Sequence, residues 1–580
     1  MKNKVKKICM YNIMPGGLLN LIAYGNQNVI LNGNPTKTMF KTTYAKYTNF
    51  GLQKFRIDFD GSRNLRMTES PIFTFKMPRY ADLIMDTYLA VTLPTIWSPI
   101  LPPNCPGGEN ATYYNSDGKW RPYEFKWISN LGTQMIKTVT FRLGGQIIQK
   151  VSGQYLVNLV ERDFTSTKKE LYYSMTGNIP ELNDPANAGS RRNVYPNAYY
   201  DPSPAGPEPS IRARQLYIPL NIWFTMAAKM AFPLVSLQYN EFYIDIEMRP
   251  VDELFVVRDV LSTDMCYVQA NQTEPEFLFS RFLQPPPNPE LDYSNADTRT
   301  DWAADVHLIT TYAFLSEDEV KLFAANQQQY LIKEVYDYTF QNVTSSSRVQ
   351  LDSLGLISSW MWYFQRNDVN LRNEWSNYTN WPYNYLPYDL VCPPTETTDT
   401  NEDLFFQYNC PPNSPKVYPN KNPIDDSPTN IYTTGSFQPG NQKTIMLKWG
   451  LLLDGKYREN LQDAGVLQYI EKYTRSNGFV NENVYCYNFG LHTSPYDFQP
   501  SGAINLSKFK NIEFEITTYQ PPIDPSAQVF VICDPVTNDI IGVNNPSWRI
   551  YDYNYDLTIF EERYNILTFN SGNAALMYAR

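Results

Sequence analysis

The fold is decided by residues 242–248, FYIDIEM, in which apolar and polar side chains alternate without a break. In an extended strand, Phe242, Ile244, Ile246 and Met248 share one face, and the polar residues between them share the other. Such alternation is typical of strands that bury one face and leave the other wetter. The stretch therefore predicts an all-β fold.

A second occurrence of this pattern lies about half a chain later. Residues 511–516, NIEFEI, place Ile512, Phe514 and Ile516 on one face in the same way. This spacing suggests two similar β domains, although one pair of strands is a weak repeat signal. Many short strands separated by turn residues predict sandwiches or jelly rolls.

The composition is that of a packed, loop-rich protein. Of the 580 residues, 43% are hydrophobic and 15% are aromatic, so a large core is available. Charged residues make up only 19%, whereas the chain has 43 prolines and 44 tyrosines. Tyrosine suits half-buried sheets and proline suits turns, which agrees with many strands joined by irregular loops.

The net charge of −10 makes the chain as a whole a poor ligand for polyanions, so we expect no direct nucleic-acid binding. The first seven residues are the exception, because Lys2, Lys4, Lys6 and Lys7 form a basic arm. One interpretation is a solvated tail. The other is an arm that contacts an acidic partner or a membrane surface.

Residue types that carry catalysis or bind metals are scarce. The chain has only two histidines, His307 and His492, and neither has a neighbouring group that would make it a base or a metal ligand. Asp245 and Glu247 share a strand face that a glycosidase could use, which leaves a sandwich-fold hydrolase as a remote alternative. The prediction is a protein without enzymatic activity, cofactor or metal.

The seven cysteines are odd in number and include no CxxC pair, which argues against a disulfide framework and favours a reducing compartment. No uninterrupted apolar run is long enough for a membrane span or a signal peptide. The expectation is therefore a soluble protein made inside a cell.

Two helices are predicted. Ser316 is a good N-cap with Glu319 in the capping-box position, so a helix should begin at Glu317. The segment after Val151 is the second candidate. Long irregular stretches interrupt the strands at residues 174–209, 265–300 and 369–443, and the middle one suits a connection between domains.

The insertion at residues 369–443 contains the sequon of Asn377, which is a candidate glycosylation site. It is also rich in aromatic residues: Trp375, Trp381, Tyr383 and Tyr385. These rings could form a stacking surface for glycans, or they could pack the loop onto itself, which is the favoured interpretation.

The segment MPGGLLNLIAYGNQNVILNGNP, residues 14–35, resembles the start of the major capsid proteins of nucleocytoplasmic large DNA viruses. The similarity continues in order with RLGGQ, YIPLNIWF, FPLVSLQY, LLLDGKYRE, QPSGAINLS and the closing YNILTFNSGNAALMYA. The residues that match in and after the opening segment are Gly16, Gly17, Leu18, Leu21, Ala23, Tyr24, Gly25, Gln27, Leu31, Gly33, Asn34, Pro35, Phe40, Lys41, Tyr44, Thr48, Asn49 and Phe50.

This resemblance implies two consecutive eight-stranded jelly rolls with a few short helices and long loop insertions. The expected organisation is an N-terminal arm over residues 1–35, a first jelly roll over 36–255, a connection over 256–305 and a second jelly roll over 306–580. The insertion at 369–443 would then be a loop at the outer tip of the assembled capsomer.

The resemblance also implies a structural role in the virion. The protein would form homotrimers that act as pseudo-hexagonal capsomers, contact neighbouring capsomers and minor capsid proteins, and assemble in the host-cell cytoplasm. The arm could also contact the inner viral membrane. The alternative is a paralogous capsid-like protein, such as a minor capsid, scaffold or attachment protein with a glycan-binding loop.

The resemblance also implies that eight residues make contacts in the N-terminal arm and at the base, beneath the first jelly roll. They are Gly16, Gly17, Tyr24, Gly25, Gln27, Gly33, Asn34 and Pro35.

Overall fold

A computed structural model of the chain separates two compact units, Met1–Asn49 and Phe50–Arg580. The structure describes residues 16–59, 61, 64–98, 100–101, 121–191, 195–196, 198, 208–258, 267–271, 277–285, 302–383, 419–421, 428–432, 442–478, 482–497, 499–524, 527, 530–544 and 550–578.

The second unit is built mainly from antiparallel strands. Its first half contains β1 (Phe50–Ile57), β2 (Asn64–Leu65), β3 (Ile72–Lys76), β4 (Leu83–Leu93), β5 (Ile100–Leu101), β6 (Arg121–Pro122), β7 (Phe125–Trp127), β8 (Ile136–Leu143), β9 (Gln146–Ser152), β10 (Arg214–Pro219), β11 (Phe232–Pro233), β12 (Phe242–Met248), β13 (Phe255–Arg258), β14 (Tyr267–Val268), β15 (Trp302–Ala303) and β16 (His307–Leu315).

The second half contains β17 (Gln328–Phe340), β18 (Ser346–Leu351), β19 (Leu356–Arg366), β20 (Pro419–Lys421), β21 (Pro428–Tyr432), β22 (Met446–Leu453), β23 (Lys456–Asp463), β24 (Val484–Asn488), β25 (Ile504–Asn505), β26 (Ile512–Thr518), β27 (Phe530–Cys533), β28 (Ile540–Asn544), β29 (Tyr555–Asn570) and β30 (Asn573–Leu576).

The helices are short. They are α1 (Gly16–Ile22), α2 (Val29–Asn32), α3 (Leu131–Met135), α4 (Gly153–Asp163), α5 (Ser166–Thr176), α6 (Pro180–Asn183), α7 (Trp223–Met226), α8 (Phe279–Phe282), α9 (Glu317–Ala325) and α10 (Glu471–Arg475). No helix in the described part of the chain is long and apolar enough to cross a membrane.

The two halves of the unit have the same sheet topology. In the first half, one sheet has the order β1-β16-β4-β10 and the facing sheet has the order β3-β12-β8-β9. In the second half, the corresponding sheets are β17-β29-β19-β24 and β18-β26-β22-β23. If the eight sandwich strands of each half are numbered along the chain, both halves read 1-8-3-6 and 2-7-4-5. This is the order of a jelly roll, so the predicted double jelly roll is confirmed.

The sequence repeat also has a structural counterpart. FYIDIEM forms β12 and NIEFEI begins β26, and both strands are the seventh strand of their jelly roll. Both show the alternating burial that their sequences predict. The predicted similarity of the two β domains is thus confirmed at the level of topology.

Each sandwich has an aromatic core. In the first, the rings of Phe232 and Phe242 stack with centroids 4.4 Å apart. In the second, Trp362 stacks on Trp449 at 5.2 Å, and Phe514 packs edge-on against Trp449. These side chains are almost fully buried, and each stabilises the fold by roughly 1.5–3 kcal/mol through burial alone.

The predicted domain boundary differs from the structure at one strand. β16, which the prediction placed at the start of the second jelly roll, lies between β1 and β4 of the first. The predicted connection also contributes to the first jelly roll, because β13 pairs with β7 and Phe279 is fully buried in the core. The reason is that the eighth strand of a jelly roll must return to the middle of the first sheet. The other predicted bounds stay predictions.

Both predicted helices are present. α9 begins at Glu317 with Ser316 as its N-cap residue, although the serine side chain makes no capping bond. Three acidic residues in its first turn interact favourably with the helix dipole instead. α4 begins after Ser152, whose hydroxyl accepts a hydrogen bond from the backbone N–H of Tyr155.

Candidate assembly surfaces

The N-terminal unit contains all eight arm and base residues carried over by the resemblance. Gly16 and Gly17 begin α1, and Gln27 lies in a single helical turn that precedes α2. Tyr24 and Gly25 lie between these two elements. The unit therefore consists of short helical turns connected by irregular backbone.

The chain turns sharply after α2, at the GNP motif. A Cβ atom on Gly33 would lie 2.5 Å from the carbonyl oxygen of Val29, so only glycine fits there without a shift. Asn34 has a left-handed backbone with φ of 50°, and Pro35 follows it. The motif thus serves a backbone turn, and the turn leaves the flanking side chains exposed.

The same unit exposes an unusual number of large apolar side chains. Those with more than 45% exposure are Leu18, Leu19, Leu21, Ile22, Tyr24, Val29, Ile30, Leu31, Met39, Phe40, Tyr44 and Tyr47. The first 49 residues include seven lysines and no acidic residue. An apolar, basic segment of this kind is typical of a surface that another molecule covers. Lys2, Lys4, Lys6 and Lys7 lie outside the described residues.

The two jelly rolls are joined by a buried ionic cluster. α4 of the first brings Arg162 and Asp163 against Glu562 on β29 of the second. The Arg162 Nη2 atom lies 2.8 Å from Asp163 Oδ2 and 2.6 Å from Glu562 Oε1, and all three side chains are at most 2% exposed. Tyr155 and Ser359 donate their hydroxyls to Glu562, at 3.0 and 2.8 Å.

The electrostatics of this cluster depend on Arg162. Burial would raise the pKa of Glu562, but the Arg162 guanidinium and the Lys333 ammonium hold that pKa below its usual range. Burial raises the pKa of Asp163, which Arg162 offsets only in part. Removing one partner of such a buried pair costs about 3–5 kcal/mol, because the remaining charge is left without compensation.

A second contact between the jelly rolls is made by the beginning of the long insertion. Asn373 Nδ2 donates to the carbonyl of Phe255 at 2.9 Å, and Trp375 Nε1 donates to the carbonyl of Glu253 at 3.0 Å. In return, Gln154 Nε2 donates to the carbonyl of Trp375 at 2.8 Å. Residues 373–378, which we call the clasp, therefore attach the second jelly roll to the first.

A third contact lies at the turn between β29 and β30. The backbone N–H of Gln238 donates to the carbonyl of Gly572 at 2.8 Å. Gly572 has φ of +80°, and a Cβ atom there would lie 2.8 Å from the Cβ atom of Gln238. Glycine at this turn lets the last hairpin approach the loop before β12 closely.

The candidate glycosylation site does not fit the described structure. Asn377 is only 1% exposed, and its amide nitrogen donates to the carbonyl of Trp381 at 2.9 Å. Its Oδ1 atom accepts from the backbone N–H and the hydroxyl of Thr379. In this conformation the amide is not accessible to a glycosyltransferase, because it forms the inner turn of the loop.

The aromatic residues near Asn377 mostly pack within the protein. Trp375 stacks under the Arg249 guanidinium at 4.1 Å, and Tyr383 donates its hydroxyl to the carbonyl of Tyr267. Trp381 is half-buried beside Lys443. Tyr385 lies outside the described residues. The structure therefore favours the packing interpretation over a glycan-stacking surface for the described rings.

A hairpin between the seventh and eighth strands of the second jelly roll forms another exposed apolar surface. In β27 and β28 the exposed side chains include those of Val531, Ile532, Ile540, Ile541 and Val543. Neighbouring residues of a strand point to opposite faces, so both faces of this ribbon are apolar. A two-stranded ribbon of this kind is only marginally stable alone, and it is a second candidate contact surface.

The candidate catalytic residues have structural partners. His307 is 3% exposed with Nδ1 2.8 Å from the carbonyl oxygen of Asp305, and Asp245 is paired with Arg142. Glu247 lies 2.8 Å from Lys137 Nζ. No group of metal-ligating side chains occurs within the described ranges. These side chains are thus engaged in hydrogen bonds and ion pairs within the fold.

Comparisons with known proteins give consistent matches. Residues 38–279 match the family described as "Major capsid protein N-terminus". The major capsid protein of Chrysochromulina ericina virus is 30% identical over 349 residues, which cover 58% of this chain and 54% of that protein. The major capsid protein of Phaeocystis pouchetii virus is 23% identical, with 98% of this chain and 100% of that protein covered.

Solved structures agree on the fold. The capsid of PBCV-1 superposes with a TM-score of 0.56 at 17% identity, covering 94% of this chain and all of that one. The Faustovirus major capsid protein gives a TM-score of 0.58 at 12% identity, covering 92% of this chain and 93% of that one.

Proposed function

Because the chain is similar to the major capsid proteins of large DNA viruses, we propose that it is one of them and that it trimerises into pseudo-hexagonal capsomers that tile an icosahedral shell. Three chains would bring together six jelly rolls of one topology. The observation that carries this proposal is the identical strand order of the two halves. Two similar sandwiches per chain let a threefold assembly present a nearly sixfold outline to its neighbours.

The three contacts between the jelly rolls support the same proposal. A shell unit must keep its outline while neighbours press on it. The ionic cluster, the clasp and the Gly572 turn hold the two sandwiches in one fixed arrangement. The protein would act through shape and contact surfaces, as a structural component of the virion assembled in the host-cell cytoplasm.

The N-terminal unit would make contacts outside the trimer. Its apolar side chains and seven lysines suit neighbouring capsomers and minor capsid proteins, most of all acidic surfaces on them. A lysine-rich arm would also be attracted to the anionic lipids of an inner viral membrane. The four leading lysines are therefore proposed as a basic contact. The proposed arm and base contacts are Gly16, Gly17, Tyr24, Gly25, Gln27, Gly33, Asn34 and Pro35.

The native mass of the purified protein tests the trimer. The chain mass is 67.2 kDa, so light scattering coupled to size exclusion should give about 200 kDa for three chains. Imaging of the same fraction should then show a pseudo-hexagonal outline. A monodisperse, folded monomer across a range of protein concentrations would contradict the proposal and would favour the paralogous capsid-like alternative.

A further inference from the structure

A groove of about 360 Å³ lies on the first jelly roll, where a loop of the second partly covers it. Its walls come from β4, α5 and α7, with Tyr496 contributed by the second jelly roll. Three methionines, Met85, Met175 and Met226, and the rings of Phe164 and Phe224 make it mainly apolar. Its size falls in the range of small-molecule sites, and methionine side chains adapt to ligands of varied shape.

A smaller cavity of about 50 Å³ adjoins the groove at the joint between the jelly rolls. Asn221 and Met226 line both spaces and so form their shared wall. Arg162 and Glu562 of the ionic cluster line the inner cavity. The mainly apolar groove and the inner cavity, which carries more polar groups, therefore meet at Asn221 and Met226.

Three buried polar atoms at this inner end have no hydrogen-bond partner among the described residues. They are Asn221 Nδ2, Arg162 Nη1 and Gln149 Oε1, on side chains of residues that are 9%, 2% and 5% exposed. A buried donor or acceptor without a partner is unfavourable, so complementary groups are expected to occupy this place. Two donors and one acceptor require a ligand group that both accepts and donates, as a hydroxyl does.

The charges that line the site indicate whether the polar group of a ligand there would be neutral or anionic. Arg162 is already paired with Asp163 and Glu562, so its charge is compensated. The two lysines that line the groove and the cavity, Lys168 and Lys333, are matched by two carboxylates, Asp86 and Asp497. An anionic head group would meet no net positive charge in this lining and would be repelled by the nearby carboxylate of Glu562. A neutral head group is therefore favoured.

We propose that the groove and its inner cavity bind one single-chain amphiphile with a neutral, hydroxyl-bearing head. The apolar chain lies along the methionines and the aromatic rings, and the head reaches Asn221 and Arg162. This site shares Arg162 and Glu562 with the ionic cluster between the jelly rolls, but it uses none of the surfaces proposed for contacts between chains.

The full-length protein is titrated with 1-monolauroylglycerol below its aggregation concentration, and binding is followed by calorimetry and native mass spectrometry. We expect one molecule per chain. The Met226→Trp substitution places a larger side chain where the groove and the inner cavity meet, so it should obstruct the site and weaken binding at least tenfold. Asn221→Leu removes the inner donor and should weaken it several-fold. Leu322→Trp, on an exposed face of α9, is the matched control and should leave binding unchanged.

Sodium laurate has the same chain with an anionic head and should bind at least tenfold more weakly. Circular dichroism checks that each variant folds. If Met226→Trp does not fold, Ala228→Trp at the exposed rim replaces it. Absence of 1:1 binding, tighter binding of laurate, unchanged binding by the folded groove variant, or a crystal of the titrated protein with only ordered water in the cavity would each overturn the proposal.

Discussion

Replacing Glu562 by glutamine tests how strongly the ionic cluster joins the two jelly rolls. Glutamine keeps the size of the side chain, and its single carbonyl oxygen can still accept from one of the two hydroxyls, Tyr155 or Ser359, which donate to different oxygens of Glu562. It removes the charge that Arg162 contacts at 2.6 Å. A buried pair that loses one partner is destabilised by about 3–5 kcal/mol. Because Asp163 remains beside Arg162 at 2.8 Å, we expect the lower part of this range or slightly less, about 2–3 kcal/mol.

The assay is chemical unfolding of the purified protein at pH 7, followed by tryptophan fluorescence. Glu515→Gln is the matched control, because Glu515 pairs with the half-exposed Arg348 at 3.4 Å. Such a pair contributes at most about 1 kcal/mol. A loss for Glu562→Gln no larger than that of the control would refute the reasoning that the cluster holds the joint.

The pH dependence gives an independent check of the same residue. The pKa of Glu562 is lower in the folded protein than in the unfolded chain. A depressed carboxyl pKa contributes stability above the unfolded value of about 4.3 and loses it as the pH falls through the folded value. The difference between wild type and Glu562→Gln should therefore be full at pH 7 and shrink steadily below about pH 4.

Three further outcomes are expected. Burial raises the pKa of Glu374 in the clasp to about 7, although Arg372 and Lys126 act to lower it. Because the folded protein holds the Glu374 proton more tightly than the unfolded chain does, the free energy of unfolding should fall as the pH rises from about 4.3 to 7. The Glu374→Gln variant should lack this fall and should be more stable than the wild type at pH 8 by on the order of 1–2 kcal/mol. Chemical unfolding of both proteins at about pH 4.3 and at pH 8 measures the difference, and an equal pH dependence of the two proteins would contradict the prediction. Trp362→Ala should destabilise the second jelly roll by about 3–5 kcal/mol, measured by calorimetry, whereas an unchanged transition would disprove a packed core around Trp449. Deleting residues 1–14 should leave the trimer intact in light scattering but impair shell assembly in electron micrographs, and a truncated protein that fails to trimerise would count against an arm that acts only in contacts between trimers.

The local signals in the sequence predicted the elements that depend on local physics. Alternation over residues 242–248 predicted β12, and the N-cap at Ser316 with acidic residues after it predicted α9. Both patterns are complete within about ten residues, so neighbouring residues alone determine them. The repeat between β12 and β26 could be seen for the same reason.

The contacts between the jelly rolls could not be predicted in this way. Arg162 and Glu562 are 400 residues apart, and neither lies in a pattern that indicates a partner. The assignment of β16 failed similarly, since alternation predicts a strand but not the sheet that receives it. Asn377 fits a sequon equally well in an exposed or a buried loop, and only tertiary packing buries it. The groove beside Asn221 likewise arises from segments far apart in the chain.

The three ties between the sandwiches have a mechanical consequence. They attach different parts of the first sandwich: the end of α4, the backbone around β13 and the loop before β12. Two domains that are in contact at one place can rotate about that contact, whereas two domains joined by three separate contacts cannot rotate about any single hinge. The two jelly rolls should therefore move together as one stiff body under load. In the proposed shell, curvature would then arise at the contacts between chains and not by bending between the two jelly rolls of one chain.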